Sequence, residues 1–299
     1  MTDAPRFSKI LYDFESYLAV ERNYSPGTRK AYVYDVDRFA EHLILRHKRM
    51  PPVAAITTDQ IRAYLEYLQE NRHLRSTTLS RTISSIRQFF QFCVARRFIT
   101  TSPADAIHSP KNPKKLPVFL IAPELKQLLR APDRTDWRGR RDYAILVVLC
   151  FTGMRLKEIV GLNLGDLDFE TRQVRVFGKG ARERAIPMNP IVIDALKEYL
   201  RERPAAVEPA VLIGRNNQRI SARMIEKIVE KYAKLAGIWR KGVSPHKLRH
   251  TFATLLHMKA VDILEIQTLL GHASITSTQI YTHTHPGKLK AAVDKLSDI

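Results

Sequence analysis

Cysteine is scarce in this chain of 299 residues, which contains only Cys93 and Cys150. Both lie within apolar helical patterns, which favours buried reduced thiols and argues against a disulfide framework. Long apolar runs are also missing: there is no stretch of about eighteen apolar residues, so we expect no transmembrane helix. The opening "MTDAPRFSKILYDFESYL" has acidic residues early and no apolar stretch ending in a cleavage site. We therefore expect no secretory signal and a cytoplasmic location.

Acidic residues are few relative to basic ones. The sequence has 30 Asp plus Glu against 49 Lys plus Arg, for a net charge of +19. Such an excess attracts polyanions, which leaves nucleic acid, an anionic membrane surface or acidic proteins as partners, or a role in solubility alone. The basic residues are spread through patterned segments and are not gathered in a tail. That distribution favours a protein that wraps a charged polymer.

The first hundred residues predict a bundle of four amphipathic helices. Ser25 is the candidate N-cap of the second helix, and Pro26 fits its first turn. The apolar positions at three-to-four spacing are Ile10, Leu11, Phe14, Tyr17, Leu18, Ile61, Tyr64, Leu65, Leu68, Ile83, Ile86, Phe89, Phe90 and Cys93. The basic residues expected to point mostly outward are Arg81, Arg87, Arg96 and Arg97.

A proline-rich break separates this bundle from the rest of the chain. Four prolines and three lysines in "TSPADAIHSPKNPKKLPVFL" exclude a continuous helix. We predict a domain over residues 1–108, an exposed basic linker over 109–117 and a second domain over 118–299. The second domain is again mainly helical. Its exception is a hairpin formed by Val174 to Phe177 and Arg184 to Met188 around "GKGA".

Several segments of the second domain carry residues suited to chemistry. "TGMRLKE" follows an apolar helix and puts Arg155 and Glu158 three apart, so the arginine either pairs with Glu158 or meets a ligand anion. "SPHKLRHTFAT" puts His246 and Arg249 at a helix start, where a cation opposes the helix dipole unless an anion binds. His250 lies four residues after His246, which is zinc-pair spacing, but the glutamate of H-E-x-x-H is missing and a metal site is disfavoured.

Three further candidates each have an ordinary alternative. His272 in "LLGHAS" follows a glycine that ends a helix, which also suits a cap or a surface residue. Lys179 at the hairpin tip also suits a solvated turn, and Tyr281 in "TSTQIYTHTH" also suits a surface position. Taken together, arginines, a lysine, histidines and a tyrosine are what metal-free phosphoryl transfer requires. Arginines neutralise phosphate charge, a lysine or histidine protonates the leaving group, and a phenol assisted by these groups is the nucleophile.

Four motifs, in this order and spacing, resemble the tyrosine recombinases, also called the phage integrase family, and most of all their Xer-type members. They are "TGMRLKEIVGLNLGDLD", "VFGKGARERAIPM", "SPHKLRHTFAT" and "LLGHASITSTQIYTH". The N-terminal "FESYLAVERNYSPGTRKAYVYDVDRF" resembles the family's core-binding domain. The resemblance therefore implies a mainly α fold, with an N-terminal four-helix SAM-like domain and a C-terminal, mostly helical catalytic domain that carries a small β-hairpin or sheet.

The resemblance also implies a role for each candidate. Arg155 and Arg249 would bind the phosphate, and Glu158 would support the site. Lys179 would be the general acid toward the 5′-hydroxyl, His246 would assist proton transfer, and His272 would bind the scissile phosphate through a hydrogen bond. Tyr281 would attack the phosphodiester and form a 3′-phosphotyrosyl bond, with strand exchange through a Holliday junction and no metal, ATP or other cofactor.

The implied partners are double-stranded DNA sites and other recombinase protomers in a homo- or hetero-tetramer, with an accessory activator left open. The C-terminal helix, with Leu289, Val293 and Leu296, would dock on a neighbouring protomer, and a simple surface helix is the alternative. Resolution of chromosome or plasmid dimers, integration of a mobile element, topoisomerase-like nicking and resealing, non-catalytic DNA binding and metal-dependent hydrolysis are the competing functions.

Overall fold

The computed structural model describes residues 6–72, 76–110, 119–177, 183–239, 242–271 and 286–296. The chain divides into two compact units, the N-terminal unit (1–115) and the C-terminal unit (116–299). Each has its own hydrophobic core. No helix among the described residues is long and apolar enough to cross a bilayer. The domain boundaries predicted at 108 and 118 stay a prediction.

The N-terminal unit is a four-helix bundle. Its helices are α1 (Phe7–Val20), α2 (Pro26–His47), α3 (Thr58–Arg72) and α4 (Ser76–Ala95). Ser25 caps α2 as predicted, because its side chain accepts a hydrogen bond from the backbone N–H of Thr28 at 3.3 Å. The predicted inward positions Phe14, Phe89 and Phe90 are fully buried, and the edge-on contact of Phe14 with Phe89 joins α1 to α4.

Two of the arginines that were predicted to point mostly outward form ion pairs within the bundle. Arg81 pairs at 3.0 Å with Asp35, a carboxylate that is buried between α2 and α4. Burial raises the pKa of Asp35, while the hydrogen bond from Ser85 and the charge of Arg81 oppose that rise. Arg96 pairs with Glu21 on α1. Arg81 on α4 and Arg96 just after it therefore also hold the bundle together. The spacing of polar residues along the sequence does not reveal these ion pairs.

The C-terminal unit packs eight helices and a small sheet, among the residues that the structure describes. Its helices are α5 (Ala122–Arg130), α6 (Trp137–Phe151), α7 (Leu156–Gly161), α8 (Pro190–Glu202), α9 (Ala222–Leu235), α10 (Pro245–Met258), α11 (Ile263–Leu270) and α12 (Pro286–Asp294). Residues 144–151 of α6 are all buried, and α5, α8, α9 and α10 pack around it. The apolar helix that precedes "TGMRLKE" in the sequence is therefore the buried centre of this unit.

The sheet has three antiparallel strands in the order β1 (Leu167–Asp168), β2 (Gln173–Phe177) and β3 (Glu183–Pro187). Val174 pairs with Ile186 and Arg175 with Ala185, so the predicted hairpin is confirmed to within one residue at each strand. Sequence reasoning missed β1, which has only two residues and no alternating pattern. The mainly α fold class with a small sheet is confirmed.

The C-terminal helix α12 packs on its own unit in the single chain, and its predicted docking on a neighbouring protomer stays a prediction. Val293 and Leu296 are fully buried in the core of their own unit, where α12 packs against α11 and β3. Asp294 also pairs with Arg172 at 2.5 Å. The side chain of Leu289 lies outside the part that the structure describes. In the single chain, the face predicted to dock on a neighbour is therefore closed, and α12 is not a simple surface helix either.

Candidate active site

The turn between α6 and α7 positions Arg155. Gly153 has φ +63°, and a Cβ at that position would lie 2.6 Å from the ring of Phe252 on α10. Only glycine fits such a close approach in the left-handed region. The chain therefore reverses directly after the buried helix and places Arg155 at the N-cap of α7, with its side chain 42% exposed.

Glu158, in the first turn of α7, holds Arg155 in place. Its carboxylate accepts a hydrogen bond from the Arg155 backbone N–H at 2.8 Å and another from Nη1 at 2.9 Å. Burial raises the pKa of Glu158, but hydrogen bonds from Arg184 and Arg155 outweigh that effect, so its pKa lies below the usual value. Glu158 is therefore an anion at neutral pH that pairs with Arg155.

Arg249, on α10, lies near Arg155 and Glu158. The helix begins at Ser244 and Pro245, as predicted, and Ser244 accepts a hydrogen bond from the backbone N–H of Lys247. Arg249 is only 7% exposed. Burial and then the charge of Arg155 lower the pKa of Arg249 to about 10, with Arg184 adding to the shift and Glu158 opposing it. The guanidinium is still protonated at neutral pH.

Backbone carbonyls at the end of α11 join the two arginines. Arg249 donates from Nη1 to the carbonyl of Gly153 and from Nη2 to that of Leu270, the latter at 2.6 Å. Arg155 donates from Nη2 to the carbonyl of Gly271 at 2.8 Å. Gly271 ends α11 with φ +60°, as the sequence predicted. The segment that leads into His272 is therefore bound directly by both predicted phosphate-binding arginines.

His246 lies in the first turn of α10, one turn before Arg249, and is exposed. That turn contains no acidic residue, so its N–H groups and positive dipole end are not matched by a carboxylate of their own helix. Arg249 is buried in the protein, whereas His246, three residues earlier, faces solvent.

Arg184 on β3 is a member of this cluster that sequence reasoning missed. Its Nη1 and Nη2 donate to the two oxygens of Glu158 at 2.8 and 2.9 Å. A signal was present in the strand alternation, because Arg184 occupies the same face of β3 as the buried Ile186. Three guanidinium groups around one carboxylate give the site a net charge of +2, which favours binding of an anion.

Three predicted site residues cannot be placed in this geometry. Lys179, His272 and Tyr281 lie outside the described residues, as does the segment 276–285. Described residues near two of them belong to the cluster: Arg184 lies on β3, which begins just after the segment with Lys179, and Gly271, bound by Arg155, immediately precedes His272. The roles of all seven predicted site residues stay proposals.

The sequence matches two family models that together cover most of the chain. Residues 119–288 match the phage integrase family, and residues 11–97 match the N-terminal SAM-like domain of phage integrases. The second match coincides with the four-helix bundle, and the first contains the arginine cluster.

Curated relatives match over almost their full length. A protein named tyrosine recombinase XerC from Pelotomaculum thermopropionicum is 38% identical over 95% of this chain and 96% of the relative. One named tyrosine recombinase XerD from Chlorobaculum tepidum is 38% identical over 92% of this chain and 91% of its own.

Solved structures agree on the fold. The crystal structure of XerA recombinase covers 97% of this chain and 98% of its own, with 29% identity and a TM-score of 0.50. A λ integrase tetramer bound to a Holliday junction gives a TM-score of 0.71 over 92% of this chain and 80% of its own, at 20% identity. This chain belongs to the phage integrase family and is a tyrosine recombinase.

Proposed function

We propose that this recombinase cleaves and rejoins DNA with Tyr281 as the nucleophile and with Arg155 and Arg249 as the residues that bind the scissile phosphate. The observation that carries the proposal is the shared anchoring of both arginines on the Leu270–Gly271 carbonyls. That anchoring ties the cationic cluster to the segment that leads to His272 and Tyr281. A phosphate bound at the cluster would therefore be held next to the start of the segment that carries the nucleophile.

Each cleavage step breaks one bond and forms one. The Tyr281 oxygen attacks phosphorus, the phosphorus–O5′ bond breaks, and a 3′-phosphotyrosyl bond forms. Lys179 gives a proton to the leaving O5′, and His246 assists the transfer of the proton that leaves Tyr281. Arg155, Arg249 and His272 stabilise the non-bridging oxygens as their charge grows. Attack by the 5′-hydroxyl of a partner strand reverses these steps and completes the exchange.

The biological task we assign is resolution of chromosome or plasmid dimers. The support is the name and the length match of the curated relatives, which align with this chain over more than nine tenths of its length and of their own. Integration of a mobile element would use the same chemistry. We place the protein in the cytoplasm, in association with the nucleoid.

Recombination of this kind requires four protomers on two DNA sites. We propose a homo- or hetero-tetramer that is joined through α12, with an accessory activator as a further partner. Because Val293 and Leu296 are buried in their own unit, α12 must leave that core before it can dock on a neighbour. Departure would also break the Arg172–Asp294 ion pair.

The proposal is tested with a DNA duplex that carries a nick near the cleavage position, so that the short cleaved strand diffuses away and religation fails. Incubated with EDTA and without ATP, the wild-type chain should form a protein–DNA adduct that resists SDS. Candidate sites come from footprinting on genomic DNA. Failure to trap an adduct on a footprinted site would contradict the proposed chemistry, and dependence on a metal would favour a hydrolase.

The proton donor can be tested separately. Lys179→Ala should slow adduct formation by about 10²- to 10⁴-fold, the usual contribution of general acid catalysis. Replacement of the bridging 5′-oxygen by sulfur should restore much of the rate, because a thiolate leaves without a proton. A Lys179→Ala chain that is equally slow on both substrates would show that Lys179 is not the general acid.

A further inference from the structure

Arg184 has contacts that a surface strand residue would not need. Its side chain is 18% exposed, and its two Nη atoms bind both oxygens of Glu158. Glu158 in turn is 3% exposed, so this is a buried, bidentate ion pair. Its Nε–H is buried and has no hydrogen-bond partner among the described residues. An orphaned buried donor is uncommon in a purely structural pair.

Two arginines occupy the hydrogen-bonding positions of the Glu158 carboxylate. A carboxylate has about four lone-pair positions. Arg155 fills two of them, through its backbone N–H and Nη1, and Arg184 fills the other two. Without Arg184, the carboxylate would be free to rotate toward Arg155 and would no longer hold it in one orientation.

Arg184 also touches the segment that leads to His272. A Cβ added at Gly271 would lie 2.8 Å from Nε and 2.9 Å from Cζ of Arg184, so the guanidinium packs directly on that backbone. Arg155 binds the carbonyl of the same glycine. One side chain therefore contacts both the residue that orients Arg155 and the backbone that precedes His272.

We propose that Arg184 is a positioning residue for DNA cleavage, which holds Arg155 through Glu158 and holds the Gly271 backbone by direct packing. This inference rests on the proposed role of Arg155 in binding phosphate. The charge of Arg184 is balanced by both oxygens of Glu158, whereas the hydrogen bonds of Arg249 in the described part of the chain go only to backbone carbonyls, so we assign phosphate binding to Arg249 and positioning to Arg184. Arg184 joins β3, which follows the segment with Lys179, to the arginine cluster.

The first test compares Arg184→Gln with Arg175→Gln. Arg175 lies on the neighbouring strand β2, is exposed and contacts the Gly165 carbonyl, so it controls for the loss of one positive charge from the sheet. At saturating protein on the nicked duplex, Arg184→Gln should form adduct about 100-fold more slowly, the scale expected for a misplaced catalytic group. Arg175→Gln should keep the wild-type rate. Equal rates for wild type and Arg184→Gln would overturn the proposal.

The second test is a double-mutant cycle with Glu158. If Arg184 acts through Glu158, the Arg184→Gln penalty should fall to less than about 3-fold in a Glu158→Gln background, because residues in one network are not additive. Penalties that simply multiply would show that Arg184 does not act through Glu158 and would overturn the proposal. Arg184→Lys keeps the charge but loses the fork, so we expect a rate between those of wild type and Arg184→Gln. If Arg184→Gln shows no cooperative unfolding transition in a thermal melt, Arg184→Lys replaces it in both experiments.

The third test separates positioning from general loss of structure. In a duplex with a methylphosphonate at the scissile position, one anionic oxygen is replaced by a neutral methyl group, so a correctly placed Arg155 matters less. The Arg184→Gln penalty should therefore shrink at least about 10-fold relative to the phosphodiester. An equal penalty on both substrates would indicate a structural defect and overturn the proposal. Failure of the assigned nucleophile would show instead as an adduct that survives Tyr281→Phe, whatever Arg184 does.

Discussion

A Tyr281→Phe chain is expected to bind its DNA site as tightly as wild type and to form no covalent adduct on a nicked duplex. The substitution removes one oxygen atom and leaves the aromatic ring, so packing and charge are nearly unchanged. Without that oxygen, no phosphotyrosyl bond can form. Binding is measured by gel shift and the adduct by SDS gel electrophoresis after prolonged incubation.

The other tyrosines of the C-terminal unit are poor substitutes for Tyr281. Burial raises the pKa of Tyr143, Tyr199 and Tyr232. Tyr199 accepts a hydrogen bond from the backbone N–H of Ile213, and the Tyr232 hydroxyl donates to Asp142 at 3.1 Å. A hydroxyl with a raised pKa is a weaker nucleophile at neutral pH. In the described part of the chain, the hydrogen bonds of Arg155, Arg184 and Arg249 go to Glu158 and to backbone carbonyls and to none of these three tyrosines.

Tyr143→Phe is the matched control for this prediction. It also removes a single phenol oxygen from the C-terminal unit, and the guanidinium of Arg134 stacked 4.5 Å from the ring centroid can stay in place. We expect normal adduct formation in this control. An undiminished adduct in Tyr281→Phe would reject Tyr281 as the nucleophile.

Local sequence rules located much of the cluster because its parts depend on short-range geometry. The i to i+3 spacing of Arg155 and Glu158 offered their pairing as one of two alternatives, and the cap at Ser25 was predicted from cap chemistry. The helix start at Ser244 was also predicted from the sequence. The helix stop at Gly271 follows from the same local reasoning. Family resemblance added the order of the motifs and the roles, which no local rule supplies.

Contacts between segments far apart in the sequence could not be predicted from local sequence patterns. Arg184 and Glu158 are 26 positions apart, and their pairing depends on how β3 packs against α7. Val293 and Leu296 have a pattern that fits docking on a neighbour or on their own core equally well. In the single chain both side chains are buried in the core of their own unit, a contact that depends on the tertiary fold.

The cationic cluster is unfavourable for the protein alone and suited to its substrate. Arg249 is buried beside two other guanidinium groups with one carboxylate to balance them, and its lowered pKa of about 10 reflects that environment. A bound phosphate would supply the missing negative charge, and its charge grows further in the transition state. The energetic benefit of Arg249 is therefore expected mainly when DNA is being cleaved.

Arg249→Gln should consequently slow adduct formation by about 10³-fold or more, the range found when a preorganised cationic or hydrogen-bonding group is removed from a phosphoryl- or acyl-transfer site. Affinity for the DNA site should change little, because most of it comes from many exposed basic residues. Arg249→Lys keeps the charge but cannot bind Gly153, Leu270 and phosphate with one fork, so its rate should remain well below that of wild type.

Arg223→Gln, which removes an exposed charge from α9, is the matched control and should cleave at the wild-type rate. All rates are single-turnover values at saturating protein, taken well below the melting temperature of each variant, because Arg249 also holds two backbone carbonyls. A loss that appears in DNA affinity and not in the rate at saturation would mean that Arg249 contributes to binding alone. The cluster would then be a DNA anchor, and the stabilisation of the transition state would have to come from other residues.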